Sequence, residues 1–536
     1  MISKTVELPE FPSTSSGRST DEDLIKRLRS THDLHDRFAP QWNFFLSAYE
    51  SGPEFACKSN LFQHQRETDE DYAERVKRAH NLNYCELIVG FFTNFIFSEP
   101  IDRNGNTNSD FYTSFVSDVN MKGETIDDFM KEVCDDMQVF GMSYVLVDAP
   151  RRPEGIVVTK QDELDSNFRP YWVLIKPEEV IDWSTDKFGN FVYVKRRQLT
   201  DDRVAGERRL IEEYTEWTKE LITLTRVDVT KESEPFLVGP PELLDNELGV
   251  VPIEVVRYKR SKKFPHMGLS FLRDLAGNNR KIMNLSSMLD EFLYRQAFNI
   301  LSRQVDNLHG APGMSEDSGD ISAANVMEYP KDTERPAYIS PPVDPAAFIQ
   351  SERSKITNEM FKIAAQDFVG EIFNGEKSSG FAQAQSFSKT VPYISSRAES
   401  LERAENRLMA LTLKMMGREW DGKVKYKDRY ELTNLTDALT QFMTLVKDLN
   451  VPSETFIREE LKRLVREFDG KLPKDILAKI ESEIEKFEFE KWKDETRQKS
   501  QTSPGAQQKE KSTGTMAELA AESNNQPSAT NKLRQD

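Results

Sequence analysis

The spacing of hydrophobic positions changes along the chain, and each change marks a different kind of element. From Asp21 to about Phe97 the pattern is helical: Leu82, Ile88, Phe92 and Phe95 fall near the spacing of one helix face. Glu67, Asp69, Glu70 and Asp71 crowd the start of the preceding segment, where the positive end of a helix dipole favours acids. Pro100 and the polar stretch Asn104 to Ser109 break this run. A further helix is predicted from Thr125 to Phe140, leading through Gly141 into the apolar strand SYVLVDAP that stops at Pro150. Between Tyr171 and Tyr258 the period becomes that of strands. The runs WVLIKPEEVIDW, NFVYVKRRQL, RRLIEEYTEWT, ELITLTRVDV and VVPIEVVRY are β-branched or aromatic and are separated by turns such as Lys187-Phe188-Gly189-Asn190. This half of the chain reads as one mixed domain, helices first and an antiparallel sheet after.

Helical spacing then returns. No proline occurs from Gly268 to Val305, and Ile282, Leu285, Leu289, Phe292 and Ile300 form an apolar stripe. A helix of roughly 36 residues there would be about 54 Å long, beyond the ordinary globular range. A Gly-, Pro- and Ser-rich segment, Asn307 to Pro345, follows and holds short extended pieces such as NVMEYP and AYISPP. A second long helix is predicted over about Ala346 to Phe368, with Ile349, Ile356, Met360, Ile363 and Phe368 on one face. The loop FNGEKSSGFAQAQ, Phe373 to Gln385, precedes a third long helix that runs to about Trp420 and is expected to kink at Pro392. Its Leu401, Ala404, Leu408, Leu411 and Met415 keep the spacing of a packed seam. The strand KVKYKDRYEL leads to terminal helices over Leu435 to Leu449, Ser453 to Phe468 and Lys474 to about Trp492, punctuated by Asn450-Val451-Pro452 and Gly470-Lys471-Leu472-Pro473. Residues 1 to 20 read as a flexible arm and Ser500 to Asp536 as a disordered tail.

Composition narrows what such a chain does. Its 536 residues suit several domains, and a net charge of −18 argues against a protein that coats nucleic acid through a broadly basic surface, so any DNA contact has to be local, weak or geometric. Cys57, Cys85 and Cys134 are odd in number and unpaired in spacing, which suggests neither a disulfide framework nor a zinc site. No apolar h-region follows a basic start, and the most apolar run, Cys85 to Phe97, is too short for a membrane span.

Chemistry is sparse. Gly422-Lys423 and Gly470-Lys471 are followed by Val424 and Leu472 and lack the preceding glycine of a phosphate-binding loop; H-E-x-x-H, G-x-S-x-G and G-x-G-x-x-G do not occur. His32 and His35 share helical spacing without an acidic or Cys partner at diagnostic distance. Asp135-Asp136 and Asp317-Ser318-Gly319-Asp320 invite comparison with nuclease magnesium ligands, but adjacent helix residues diverge and the second string lacks a calcium loop's ligand count. Lys331, Arg335 and Lys377 are scattered cations whose default reading is ordinary surface charge. No enzyme activity, cofactor or metal is expected.

The order of elements is similar to that of the portal, or head-to-tail connector, proteins of tailed bacteriophages. The strings ETDEDYAERVKRAHNLNYCELIVGFFTNFIFSEP, VFGMSYVLVDAP, PYWVLIKPEEVIDW, GVVPIEVVRY, GLSFLRDLAGNNRKIMNLSSMLDEFLYRQAFNIL and SSGFAQAQSF resemble that family's segments in that order, over roughly residues 25 to 495. The resemblance implies an α+β subunit: an arm (1–20), a wing (21–265), a first stem helix (266–305), a small α/β clip (306–345), a second stem helix (346–372), a tunnel loop (373–385), a kinked long helix with a return strand to the wing (386–433), a helical crown (434–497) and a tail (498–536). It implies Phe373, Asn374, Glu376, Lys377, Ser378 and Ser379 facing DNA in the tunnel loop. Lys331, Asp332, Glu334, Arg335 and Tyr338 would engage partners in the clip, and Ile282, Leu285, Leu289, Phe292, Ile356, Met360 and Ile363 would pack the stem.

It further implies a ring of twelve at one capsid vertex of the virion, assembled in the host cytoplasm. Duplex DNA would pass through the channel without sequence specificity. The implied partners are the terminase large subunit, a head-tail adaptor, and the major capsid and scaffold proteins, with no membrane involved. Twelve copies at −18 would repel phosphates rather than grip them, which suits a sliding conduit. A different head-tail adaptor, and more remotely a metal-dependent nuclease, are the rival readings.

Overall fold

The computed structural model describes residues 17–104, 110–150, 169–204, 207–231, 234–296, 301–305, 326–330, 344–367, 369, 385–427, 430, 454–468 and 474–486. The chain divides into two compact units, Met1–Leu432 and Thr433–Asp536.

The first unit opens with helices whose starts are fixed by side-chain caps. Helix α1 (Gly17–Arg29) begins inside the expected arm. His32 accepts from the Leu34 amide at the start of α2 (Asp33–Glu50), and the four-residue α3 (Gly52–Phe55) follows. Thr68 caps α4 (Asp69–Arg78), whose first turn holds the acids read from the sequence, and Asn83 caps α5 (Tyr84–Ile96). These caps satisfy amides that the helix itself leaves without partners. Strand β1 (Asp102–Asn104), α6 (Asp110–Ser117) and α7 (Ile126–Val139, capped by Thr125) lead into β2 (Met142–Asp148).

The strand region forms two sheets where the spacing predicts one, and it adds two short strands between the fourth and fifth runs. The run WVLIKPEEVIDW is two strands, β3 (Tyr171–Ile175) and β4 (Val180–Thr185), and they join different sheets. The turn between them is closed by the Glu179 amide donating to the Lys176 carbonyl at 3.0 Å. Strands β5 (Phe191–Val204), β6 (Glu207–Thr218), β7 (Leu221–Asp228), β8 (Phe236–Leu237) and β9 (Glu242–Asp245) then follow. The larger sheet has order β4-β5-β6-β7-β8, with β9 also on β7; β10 (Ile253–Arg257) pairs with β2, which pairs with β3, all antiparallel. The β4–β5 turn is as expected: Asp186 Oδ1 accepts from the Phe188 and Asn190 amides, and Gly189 takes the positive φ of 87° that glycine tolerates.

The long stretch from Gly268 to Val305 is not one helix. Residues Phe271–Asp274 form a 3-10 turn, helix α8 spans Ala276–Gln296, and Leu301–Val305 is strand β11, paired in parallel with β12 (Val326–Pro330). Tertiary contacts override helical spacing here. Ser270 donates to the Val139 carbonyl at 2.5 Å and accepts from the Leu272 amide, which fixes the turn, while β11 depends on a partner strand that local periodicity does not reveal. Helix α9 (Asp344–Ile363) packs against α8. After a helical turn at 385–388, helix α10 (Val391–Met415) carries Pro392 in its first turn, so the proline starts the helix and does not kink it. Strand β13 (Lys423–Lys425) returns to pair antiparallel with β1.

One core joins α2, α5, α8 and α9 to the two sheets through residues such as Trp42, Ile88, Tyr144, Ile282 and Met360. A second joins α5, α7 and α10 through Phe92, Phe129, Trp172, Leu401 and Leu408. A third seats Ile25 and Leu28 of α1 against Tyr214 and Val227 of the larger sheet. Among the described residues no helix is long and apolar enough to cross a membrane.

In the second unit α11 (Glu454–Phe468) and α12 (Lys474–Lys486) pack together, with Lys462 Nζ 2.5 Å from a Glu485 carboxylate oxygen. The expected helix over Leu435 to Leu449 lies outside the described residues.

Candidate functional site

The stem residues named from the sequence sit on α8 and α9. Ile282, Ile356 and Met360 are buried, Leu285, Leu289 and Phe292 are half-buried, and Ile363 is 49% exposed. One end of the pair is therefore rooted in the core, where Met283 and Phe361 are also buried and the Tyr84 ring meets Phe361 edge-on. Polar side chains secure the same face of α8. Asn284 donates to the Asn60 carbonyl at 2.8 Å and accepts from the Phe62 amide, and Asn279 donates to Asn81 at 3.0 Å. Arg75 of α4 is held in a fork by Glu67 and donates to Ser287 at 3.2 Å. Lys281 and Glu352 lie 3.4 Å apart across the two helices.

Further along, burial fails. Met288, Leu293 (53%) and Tyr294 on α8, and Phe348 (70%) on α9, are exposed. Arg78 covers the Tyr294 face at 4.3 Å and pairs with Glu291 at 2.5 Å. The pair thus has a buried root and, among the described residues, an exposed apolar flank at Met288, Leu293 and Phe348.

The clip residues Lys331, Asp332, Glu334, Arg335 and Tyr338, and the tunnel-loop residues Phe373, Asn374, Glu376, Lys377, Ser378 and Ser379, lie outside the described residues.

Asp317 to Asp320 lie outside the described residues, and the described histidines considered for chemistry serve the fold. The His32 ring caps α2 and stacks on Trp183 at 4.3 Å, and the His35 ring sits 3.1 Å from the Glu178 carbonyl. Asp135 accepts from Thr93 Oγ1 at 2.5 Å, while Asp136 keeps a buried Oδ2 without a partner. Burial, reinforced by Glu132, pushes the Asp136 carboxyl up to about 7; burial also raises Asp135, against hydrogen bonds from Thr93 and Tyr49. Burial pushes the Cys85 and Cys134 thiols up to about 12, which makes both inert. No cluster of His, Cys, Asp and Glu among the described residues is arranged to hold a metal ion.

Two buried polar centres were not legible as such. Arg397 of α10, 2% exposed, lies over the rings of Phe92 (3.7 Å), Tyr258 and Phe271 (both 4.6 Å) and donates to Gln138 Oε1 at 2.8 Å; burial lowers its pKa to about 10. Arg103 of β1 bridges Glu405 (2.5 Å) and Asp127 (2.7 Å), and the Tyr426 hydroxyl donates to Glu405 at 2.7 Å. This second centre ties β1, α7, α10 and the residue just after β13 together, with Arg103 and Glu405 separated by 302 positions of sequence. An arginine at a helical spacing position gives no signal of an aromatic cage, which only the tertiary fold builds.

No family model matches the chain, and no curated protein matches it. Among solved structures it is similar to a chain described as the neck of an empty GTA particle computed with C6 symmetry. That chain is 11% identical, with a TM-score of 0.37, and the match covers 75% of this chain and 96% of that one. It is also similar to a chain from the neck of a native GTA particle computed with C12 symmetry, at 12% identity and a TM-score of 0.36, over 72% of this chain and 89% of that one. At such TM-scores the likeness adds no weight to any functional reading.

Proposed function

We propose that this chain is a non-enzymatic, portal-like subunit that forms a closed ring in a phage-like particle and lets duplex DNA pass through its channel. The observation that carries the reading is the α8–α9 pair, rooted in the core at one end and carrying the apolar side chains Met288, Leu293 and Phe348, exposed among the described residues, toward the other. Side chains of this kind on paired helices are covered when copies pack side by side, and cyclic closure of a heterologous contact leaves a central hole. The resemblance of the ordered sequence strings supports the same reading. So does the net charge of −18, because an acidic ring holds DNA weakly and permits sliding. Terminase, adaptor, capsid and scaffold proteins are the partners that the resemblance suggests.

Light scattering on the purified full-length protein tests this. Twelve subunits of 61.8 kDa give a particle of about 740 kDa. The double substitution Met288→Asp and Leu293→Asp should shift it to smaller species while the thermal melt of the subunit stays within about 0.5 kcal/mol, as expected for exposed positions. A wild-type mass of one subunit, or an unchanged large mass in the double variant, would count against the reading.

A further inference from the structure

One surface loop is strongly basic in this acidic chain. Between Arg257 and His266 the sequence RYKRSKKFPH holds five Lys and Arg residues and no acid. Lys259, Arg260, Lys262 and Lys263 are all exposed, and none of them is in an ion pair among the described residues. Glu254, which feels the Arg260 charge, already accepts from Arg407 at 2.9 Å.

The loop is built and anchored. The Leu269 amide donates to the Lys259 carbonyl at 2.7 Å, the Ser261 amide to Met267 at 2.9 Å and the Met267 amide to Phe264 at 2.8 Å, while Ser261 Oγ accepts from the Phe264 amide. Ser261 and Met267 are buried, and the Phe264 ring meets Phe38 edge-on at 6.0 Å. The exposed Arg37 guanidinium of α2 lies over that ring at 5.0 Å and the Lys263 ammonium at 5.5 Å, which brings a cation from another element into the group. At the root, Gly268 and Gly141 approach so closely that a Cβ on either would overlap the other segment's backbone. Holding like charges together raises the energy of the free protein, and a polyanion relieves that cost.

We infer that the Lys259–Lys263 loop, with Arg37, is a binding site for the phosphate backbone of nucleic acid, read without sequence specificity. Charge density selects this ligand class. A duplex carries a negative charge every ~1.7 Å of axis, whereas an extended acidic peptide presents one carboxylate on a given face only every ~6.6 Å. Four exposed cations within five residues, plus Arg37, match the denser polyanion. The site belongs to one subunit and does not rest on the ring reading.

The test is fluorescence anisotropy of a labelled duplex with the full-length protein at 50 and 200 mM salt, with particle mass measured on the same samples. Neutralising about four phosphates gives a salt slope near −3.6, so wild-type affinity should fall about 10²-fold across that range. The variant Lys259→Ala, Arg260→Ala, Lys262→Ala, Lys263→Ala, which leaves the anchors Ser261, Phe264 and Met267 in place, should bind at least ~10-fold more weakly at 50 mM and lose most of the slope. A control at Lys58→Ala and Lys77→Ala should bind as wild type. The milder pair Lys262→Gln and Lys263→Gln should fall between wild type and the fourfold variant, which keeps the test decisive if the latter misfolds. Equal binding by wild type and the loop variants, absence of duplex binding by wild type, or tighter binding of a polyglutamate peptide than of the duplex would each overturn the assignment, whatever the particle mass.

Discussion

Asp136→Asn isolates the cost of a buried acid. Asp136 lies on α7 with Oδ2 shielded and unpartnered; burial first and Glu132 second hold its carboxyl at about 7, against the opposing pull of Lys176, with Asp135 and Glu179 adding to the repulsion. Raising a carboxyl from 3.8 to about 7 costs roughly 4 kcal/mol once it is ionised, and the residue's remaining contact with water reduces this to about 2–3 kcal/mol. The folded state keeps a proton that the unfolded state releases between pH 4 and 7. The contribution is therefore fully present below pH 4 and is lost as pH rises through about 7. Asn cannot ionise, so the variant should match wild type near pH 4 and exceed it by about 2–3 kcal/mol at pH 8. Thermal melts followed by near-ultraviolet circular dichroism at pH 4.5, 6 and 8 give the comparison. A difference that is constant across pH, or a variant that loses stability relative to wild type as pH rises, would refute the reasoning.

The remaining predictions concern how the first unit is held together. Glu405→Gln leaves the Arg103 guanidinium, 7% exposed, with the partly exposed Asp127 as its one remaining carboxylate partner among the described residues, and should cost about 3–5 kcal/mol in chemical denaturation. Glu99→Gln at the more exposed Lys427 ion pair should cost less than about 1 kcal/mol in the same assay. Gly268→Ala places a Cβ against the Gly141 backbone and should cost about 3 kcal/mol, seen as a lower melting temperature together with faster amide exchange at Tyr258, whose N–H donates to the Gly141 carbonyl.

What the sequence disclosed follows from where the information lies. The helix start at Thr125, the turn at Lys187–Asn190 and the β-branched and aromatic runs of β5 to β7 are local signals, and the elements stand where those signals lie. The Gly268–Val305 stretch is shorter in helix than its stripe predicts because an apolar stripe and the absence of proline do not report Ser270 bonding to Val139 or a strand pairing 25 residues downstream. Pro392 begins a helix where spacing predicts a kink, because its position relative to the helix start depends on the separate turn at 385–388. In the candidate site, Ile282 and Ile356 are buried while Ile363, on the same helix as Ile356 and in the same apolar stripe, is exposed, a difference that spacing alone does not carry. The Arg397 cage and the Arg103 centre join segments far apart in sequence, where no spacing rule reaches.

The central claim is tested most directly by electron microscopy of the purified full-length protein. Class averages should show closed rings with a central channel wide enough for duplex DNA. A homogeneous field of compact single subunits at every concentration tried, above all one that cleaves DNA with magnesium, would contradict it.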